Sequence, residues 1–459
     1  MTIAINGIGL ATAQGNAADI LASNSLRAAS ELPWTPSKWN VSRVCYPATG
    51  IDSSLTGVER WQALVKKALA EIGDAGNAPL LVASCNGSAG ERWEEAFDTS
   101  ALLAGTPWAN ADLPVFSSSC ASGIHALYAA RALLESGAAE EVLVLAADIL
   151  ARSNHENFEG LRVLAERPAA PWQSTSTGFI LGEAAVVLRL ARGDETTLQG
   201  PELASDLVDY DGLSSVIEAL SPLDPSMILG QGTGPYANDA AELEALAGFV
   251  DKEVPIATPL TQFGHTLGAS SLLSIALGAL GSTIPSVANF TVDGRPIGWP
   301  AAVNIIVTCR ALNGACAATS LGRISHAETQ RRKVNWNRSV IPGPLMNWTL
   351  KQLAEEAITH RPAEPPDVLI LRLEKPLAPP AEAAIGGRLL PSAVLEITPG
   401  FASQLIARCW GYTGPALCLA GNVDVDPYRL IDTLRDSGAN VFQVNLRGTG
   451  DNRAIEWNV

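Results

Sequence analysis

Basic residues are scarce in this sequence. Its 459 residues include 31 lysines and arginines against 47 aspartates and glutamates, which gives a formal net charge of −16 at pH 7. A protein that binds nucleic acid through the phosphate backbone needs a basic footprint. The charge balance therefore argues against nucleic acid as a partner.

Long hydrophobic runs and paired cysteines are also missing. No basic segment precedes the first apolar residues, and the most apolar later stretch, Leu267 to Pro285, is interrupted by serines and glycines. We expect neither a signal peptide nor a membrane span. The seven cysteines show no paired spacing. They indicate neither a disulfide framework nor a metal site, so a reducing cytoplasm is the expected location.

Apolar residues, by contrast, are abundant. They make up 47 % of the chain, whereas charged residues make up 17 %, so the chain can bury a large core. Short apolar runs such as Val142 to Ala147 and Ala184 to Leu190 alternate with Ala/Leu-rich helical patterns. This alternation is typical of a layered α/β protein.

Three regions follow from the way the pattern changes along the chain. Strands and helices interleave in a main domain over residues 1–324, a polar linker is predicted over residues 325–344, and an α/β region follows over residues 345–459. The linker contains the basic residues Arg331, Arg332, Lys333 and Arg338. We interpret it as a solvated connector, with docking of an acidic carrier protein as the alternative.

The C-terminal region resembles an earlier part of the chain. When Pro415 is aligned with Pro114, the residues after Pro415 match those between Pro114 and residue 150. In this alignment Gly421 takes the position of Cys120. We interpret residues 345–459 as a degenerate partial repeat that keeps a scaffold and lacks the thiol.

Cys120 is the strongest candidate nucleophile. It lies in PVFSSSCASGIHAL, where an apolar lead and a turn of small residues precede an Ala-rich helix that ends at Gly137. Backbone N–H groups and the positive end of the helix dipole stabilise a thiolate at a helix N-terminus. A lone cysteine in this position is nevertheless more often a small core residue.

Five motifs that occur in order along the chain favour the interpretation of Cys120 as a nucleophile over that of a core residue. They are INGIGLATAQG, SSSCASGIHAL, GFILGEAAVVLRL, GQGTGPYANDAAE and GHTLGASS. With them, the sequence resembles the β-ketoacyl synthase branch of the thiolase superfamily over roughly residues 1–323. The resemblance implies a thiolase-like layered α/β fold of two similar βα halves. It also implies that Cys120 takes an acyl group from a phosphopantetheine thioester while backbone N–H groups hold the oxyanion.

The same resemblance assigns the other site residues. His265 matches the histidine of the family's GHxxGA motif, which holds a malonyl thioester carbonyl and stabilises the enolate. Gln231 stands where the family has a histidine before GTG. A glutamine amide donates a hydrogen bond but moves no proton. Leu260 stands where elongating members carry a lysine. No cofactor and no metal are expected.

The family's Gly-rich loop near the end of the main domain is altered as well. Leu312 replaces the gating phenylalanine and Cys316 replaces an asparagine, while Gly314 is kept. We leave Cys316 out of the site as an interior cysteine. His125 lies five residues along the helix from Cys120 and is predicted to lie off the face of the thiol. The polar residues Asn238, Asp239 and Glu242 match the family pattern but are expected to be structural.

Two functions remain open at this level. The first is a divergent acyltransferase that condenses or transfers the acyl group of Cys120, in polyketide or specialised fatty-acid biosynthesis. The second is a non-catalytic partner subunit similar to a chain-length factor, which the altered residues favour.

The expected partners of the protein are an acyl carrier protein or coenzyme A thioester and a second subunit, in a homodimer or heterodimer. A local patch of Arg152, Arg162 and Arg167 is the candidate carrier-docking site, and the partial repeat could cover a dimer face or hold a carrier protein.

Overall fold

A computed structural model describes most of the chain. The described residues are 2–22, 27–36, 41–89, 95–167, 171–206, 211–220, 224–250, 254–283, 290–292, 295–297, 304–322, 348–375, 377, 398–448 and 453–458. The predicted linker, with its four basic residues, lies outside them.

The strands run through both the main domain and the C-terminal region. They are β1 (Ile3–Ala11), β2 (Ser30–Glu31), β3 (Val44–Cys45), β4 (Leu80–Ala83), β5 (Val115–Phe116), β6 (Glu141–Asp148), β7 (Ala184–Arg192), β8 (Thr197–Ser205), β9 (Met227–Leu229), β10 (Ile256–Ala257), β11 (Phe290–Val292), β12 (Arg295–Ile297), β13 (Asn304–Arg310), β14 (Ala315–Gly322), β15 (Val368–Leu373), β16 (Ala416–Ala420), β17 (Val441–Arg447) and β18 (Ala454–Asn458).

The helices alternate with the strands. They are α1 (Ala17–Ala22), α2 (Gly57–Ile72), α3 (Thr99–Leu102), α4 (Ser122–Ser136), α5 (Arg152–Leu161), α6 (Gly212–Ala219), α7 (Tyr236–Ala245), α8 (Ala247–Val250), α9 (Leu260–Phe263), α10 (Ser270–Thr283), α11 (Trp348–Thr359), α12 (Pro399–Trp410) and α13 (Leu430–Asp436). No helix among the described residues is both long and apolar enough to cross a membrane.

The main domain consists of two halves with the same strand pattern. In the first half the strand order is β1-β7-β6-β4-β5, with two antiparallel pairs followed by two parallel pairs. In the second half the order β8-β14-β13-β9-β10 repeats this sequence of pairings. The halves join where β1 pairs with β8. The expected α/β class and the two similar halves are therefore present.

Helices α4 and α10 lie between the two halves. Nearly every side of α4 is buried, because its residues are small or apolar all round. It shares one core with α10 and with strands from both halves. Helix α2 instead buries one face, formed by Trp61, Leu64, Val65 and Ala68, against the opposite side of the first half. This spacing is the i, i+3, i+4, i+7 pattern of an amphipathic helix.

The C-terminal region continues the sheet. Strand β16 pairs antiparallel with β5, and β15, β17 and β18 follow in the order β16-β15-β17-β18. Helices α11 and α12 cover this part of the sheet with their own apolar core. One 14-stranded sheet thus runs through the main domain and the C-terminal region.

Candidate active site

Cys120 lies in a tight turn directly before α4. Residues Ser119–Ala121 form a single 3-10 turn, and Ser119 has a φ of 54°, a left-handed conformation that is uncommon for a non-glycine residue. The Ser122 hydroxyl holds the turn, since it accepts a hydrogen bond from the Ser118 N–H at 2.9 Å and donates to the Ser119 carbonyl at 2.6 Å. The structure therefore places the thiol at the helix start, as predicted.

His265 lies beside the thiol. Its Nε2 is 3.3 Å from Cys120 Sγ. Its backbone is fixed by the ILGEA motif, because its N–H donates to the Ile180 carbonyl and its carbonyl accepts from the Gly182 N–H. Its Nδ1 accepts a hydrogen bond from the Leu267 N–H at 3.0 Å. The neutral ring therefore carries its proton on Nε2, which points at the sulfur.

Burial keeps His265 uncharged. The side chain is 2 % exposed, and the loss of hydration lowers its pKa to about 4. At neutral pH it is a hydrogen-bond donor to the site through Nε2–H. It is not positioned as a base for the thiol, since the nitrogen that faces sulfur already holds the proton.

Gln231 supplies a second donor from the other half of the fold. Its Oε1 accepts a hydrogen bond from the Arg310 N–H at 2.8 Å, which fixes the orientation of the amide. Its buried Nε2 has no hydrogen-bond acceptor among the described residues, and its side chain acts on Cys120 by lowering the pKa of the thiol. Gln231 therefore favours the anion of the same thiol whose sulfur lies 3.3 Å from His265 Nε2.

The loop that contains Leu312 supplies a backbone N–H group near the thiol. The backbone N–H groups of Cys120 and Leu312 both lower the pKa of the thiol. Two N–H groups that converge on a nucleophile are the arrangement that holds an oxyanion. Gly314 turns this loop with a φ of 95°. The replacement of the family's phenylalanine by Leu312 leaves this backbone donor in place.

The predicted thiolate is not the resting form of Cys120. Burial, and then the negative charge of Asp148, raise the pKa of the thiol to about 12, and the neighbouring N–H groups only partly offset this rise. The helix start was expected to favour the anion, but desolvation of a sulfur that is 4 % exposed outweighs it. At neutral pH the thiol is protonated.

Glu242 and Asp239 hold the loop that contains Gln231. Glu242 accepts hydrogen bonds from the N–H groups of Gln231 and Gly232. Asp239 accepts from Gly234 N–H at 2.9 Å, and burial raises its pKa to about 6. Their contacts are those of structural residues. Asn238 accepts from the Arg310 guanidinium at 3.4 Å.

Asp148 is a site residue that the sequence analysis missed. It ends β6, is fully buried, and accepts hydrogen bonds from Ser84 Oγ and from the N–H groups of Cys85, Asn86 and Gly268. It therefore ties the end of β4 to the turn that follows His265. Burial raises its pKa to about 6. The available signal was a single aspartate at the end of the apolar run VLVLAAD.

Cys316 and His125, which the sequence analysis left out of the site, are both buried. Cys316 is fully buried at the start of β14. His125 is buried in α4 and kept neutral by a pKa near 3. Leu260 lies instead on the wall of a small cavity next to Gln231, where a lysine would have placed a charge. That cavity has a volume of about 20 Å³, which is room for about one water molecule.

Comparisons with known proteins relate the chain to ketosynthases. Residues 114–196 match the family model described as "Beta-ketoacyl synthase, N-terminal domain". Nodulation protein E of Rhizobium leguminosarum bv. trifolii is 27 % identical over 206 residues, with 39 % of this chain and 51 % of that protein covered. The chain is therefore similar to β-ketoacyl synthases, most directly over residues 114–196. It spans about half the length of the curated relatives it matches.

Solved ketosynthase structures share the fold. A type II polyketide synthase acyl-carrier protein in complex with its ketosynthase aligns with a TM-score of 0.59 and 15 % identity, over 71 % of this chain and 99 % of that chain. The structure described as "PfaC Keto synthase-Chain length factor" aligns with a TM-score of 0.71 and 13 % identity, over 97 % of this chain and 74 % of that chain. The thiolase-like layered α/β fold expected from the sequence is thereby confirmed.

Proposed function

We propose that this chain forms an acyl-enzyme on Cys120 from an acyl carrier protein or coenzyme A thioester. The observation that carries the proposal is a buried thiol in the turn before α4 with His265 Nε2 3.3 Å from its sulfur. The backbone N–H groups of Cys120 and Leu312 and the Gln231 side chain favour the anionic form of the same thiol. Sulfur attacks the thioester carbonyl, the two backbone donors hold the oxyanion, and the pantetheine sulfur leaves with the thiol proton.

The second step uses the other two donors. In a condensation, a malonyl thioester loses carbon dioxide and the electrons of the broken bond form an enolate. The enolate carbon attacks the acyl carbonyl on Cys120, the bond between that carbonyl and sulfur breaks, and the released thiolate takes up a proton from water. Hydrogen bonds from Gln231 and His265 stabilise that enolate without any proton transfer from Gln231. If the amide stabilises the enolate too weakly, the acyl group passes to another acceptor and the protein is a transacylase.

The proposed setting is polyketide or specialised fatty-acid biosynthesis. The departures at Gln231, Leu260 and Leu312 make housekeeping elongation the poorer fit. The carrier protein is proposed to dock on the exposed arginines Arg152 and Arg162 of α5 and its end. A net charge of −16 gives no general attraction for an acidic carrier, so docking would depend on such a local patch.

Intact-protein mass tests the first step directly. The protein is incubated with acyl-pantetheine thioesters and with acyl carrier protein, with and without a malonyl donor. We expect an acyl adduct on the wild type and on Cys45→Ala, whose cysteine is equally buried but lies outside the site. Cys120→Ala should show no adduct.

The same experiment separates the alternatives. Decay of the adduct on addition of the malonyl donor, with carbon dioxide release, indicates condensation, and transfer without carbon dioxide indicates a transacylase. A folded protein with no adduct for any chain length would overturn the proposal. It would favour a non-catalytic partner subunit, which the protonated thiol and the altered residues 231, 260 and 312 also support.

A further inference from the structure

The outer edge of β5 is filled by the chain's own C-terminal region. Strand β5 has two residues, Val115 and Phe116, and they pair antiparallel with Ala420 and Leu419. The pairing continues for one more residue, because the Ser117 N–H donates to the Cys418 carbonyl at 2.9 Å. An uncovered edge strand at this position would offer its backbone groups to another chain.

The register of this pairing has a particular symmetry. In the repeat that places Pro415 on Pro114, Ser117 corresponds to Cys418, since each lies three residues after the proline. These two equivalent residues lie opposite each other in the sheet. Equivalent residues meet in this way only about a two-fold axis, as in the interface of a symmetric dimer.

The elements beyond the axis follow the same symmetry. On one side the order is β5-β4-β6-β7, and on the other it is β16-β15-β17-β18, with two parallel pairs followed by an antiparallel pair in each case. Helix α13 follows β16 as α4 follows β5, and the two helices share a core. Both end with the same contact, a serine hydroxyl that donates to the carbonyl three residues earlier, in Ser136 and Ser437.

The C-terminal region also supports the nucleophile site. Helix α12 begins against the Cys120 turn, so closely that a Cβ on Gly400 would lie 2.5 Å from the Ser117 carbonyl oxygen and 2.6 Å from Ser118 Cα. At the other end of α12, Arg408 Nη2 donates to the Asn313 carbonyl at 2.9 Å. That carbonyl belongs to the loop whose Leu312 N–H faces the thiol.

We infer that the C-terminal region, over the described part of residues 348–458, acts as an in-chain half subunit. It takes the place of a second copy at the β5 edge and contacts the Cys120 turn from across an internal two-fold axis. The β5 edge is then closed to other chains. A partner subunit would have to bind elsewhere.

A disulfide across the axis tests the arrangement. The variant Ser117→Cys places a thiol opposite the native Cys418, within the Cα separation that a disulfide requires. After mild oxidation with copper phenanthroline, we expect a disulfide within one chain, so that the non-reduced protein migrates as a single chain of 48.0 kDa. Peptide mapping should find residues 117 and 418 linked.

Two further cysteine variants serve as controls for the cross-link between residues 117 and 418. Adding Cys418→Ala to Ser117→Cys should abolish the link, while adding Cys409→Ala, which removes another buried thiol of the same region, should keep it. A disulfide between two chains would overturn the inference, and so would its absence in protein whose circular dichroism is native. The cross-link needs no acyl substrate, so its result is independent of the proposed acyl transfer.

The bracing of the loop has its own readout. Arg408→Ala should speed amide hydrogen exchange over residues 311–315 by about tenfold, because a charge-assisted hydrogen bond to the loop is lost. Arg408→Lys should restore much of the protection. The exposed Arg435→Ala in α13 is the control and should leave this exchange unchanged. Unchanged exchange in Arg408→Ala would contradict the positioning role of Arg408.

Discussion

At the scale of single residues, the site is built from donors rather than from acids and bases. His265 is neutral and presents Nε2–H, and Gln231 is oriented by the N–H of Arg310 so that its amide nitrogen faces the thiol. A glutamine can replace a neutral histidine in this task, because both donate one hydrogen bond. The replacement at position 231 therefore changes the strength and direction of a donor, not the type of chemistry.

Substitutions at Gln231 test this view. Gln231→Leu removes the donor and should lower malonyl decarboxylation by about 10²–10³-fold, the usual cost of one oxyanion donor. Gln231→His should keep or raise the rate. The measurement is carbon dioxide release from a malonyl thioester, and acylation of Cys120 serves as the control because it uses the backbone donors. An equal rate in Gln231→Leu would show that the amide takes no part.

The raised pKa of the Cys120 thiol predicts how its alkylation depends on pH. Because burial raises the pKa of Cys120 to about 12, the thiolate fraction should grow about tenfold per pH unit across the neutral and mildly alkaline range. We expect the rate of Cys120 alkylation by iodoacetamide, followed by peptide mass, to rise steadily from pH 6 to 9. A plateau below pH 8 would instead reveal a thiolate at rest.

At the scale of elements, the segment GFILGEAAVVLRL holds the backbone around His265 in place. Its residues Ile180 and Gly182 fix the backbone of His265, and a Cβ on Gly182 would lie 2.0 Å from the Phe263 carbonyl oxygen. The next residue, Glu183, is fully buried and forms an ion pair with Arg60 of α2 at 2.6 Å. Glu183 also accepts from the Leu150 N–H. One segment therefore links the outer helix, the end of β6 and the histidine loop.

Breaking that ion pair should be costly. Arg60→Leu leaves the Glu183 carboxylate buried without its partner cation, and loss of one member of a buried pair costs about 3–5 kcal/mol of unfolding free energy. The urea midpoint followed by circular dichroism should fall accordingly. Arg429→Ala, which removes an exposed pair with Asp432, is the control and should have little effect. A similar small change in both variants would contradict the role of Glu183.

At the scale of the whole molecule, the continuous sheet joins the C-terminal region to the main domain. Leu430, Ile431 and Leu434 of α13 belong to the same core as α4, which starts at the Cys120 turn. The hydroxyl of Tyr428 accepts from the Leu80 N–H of β4 at 2.8 Å. One face of the C-terminal sheet, with α13, thus packs in the same core as α4, while its other face packs in a separate core with α11 and α12.

A core substitution in α13 should therefore weaken both regions together. Ile431 is 3 % exposed, so Ile431→Ala should cost about 2–5 kcal/mol. Hydrogen exchange in urea should show α4 and β17 losing protection together. Ile358→Ala, at a position that is 54 % exposed, is the matched control. Loss of protection confined to residues 398–448 would show that the two regions unfold separately.

Much of the site could be predicted from the sequence because its motifs are local. The turn of small residues before α4, the GHTLGASS loop and the departures at Gln231 and Leu312 are all visible in short segments. Asp148 was not predicted, because its partners Ser84 and Gly268 lie 64 and 120 residues away along the chain. The raised pKa of the Cys120 thiol was not predicted either, because burial at this depth is a property of the packed fold.

The α/β class and the helix start at Cys120 could be predicted from the sequence, since each depends on residue patterns within a short segment. The packed fold was needed to show that His265 and Gln231 act on the same thiol and that β16 pairs with β5. Those contacts join residues 111 to 305 positions apart. No local pattern encodes such distances, and they are set by the packing of the whole sheet around α4.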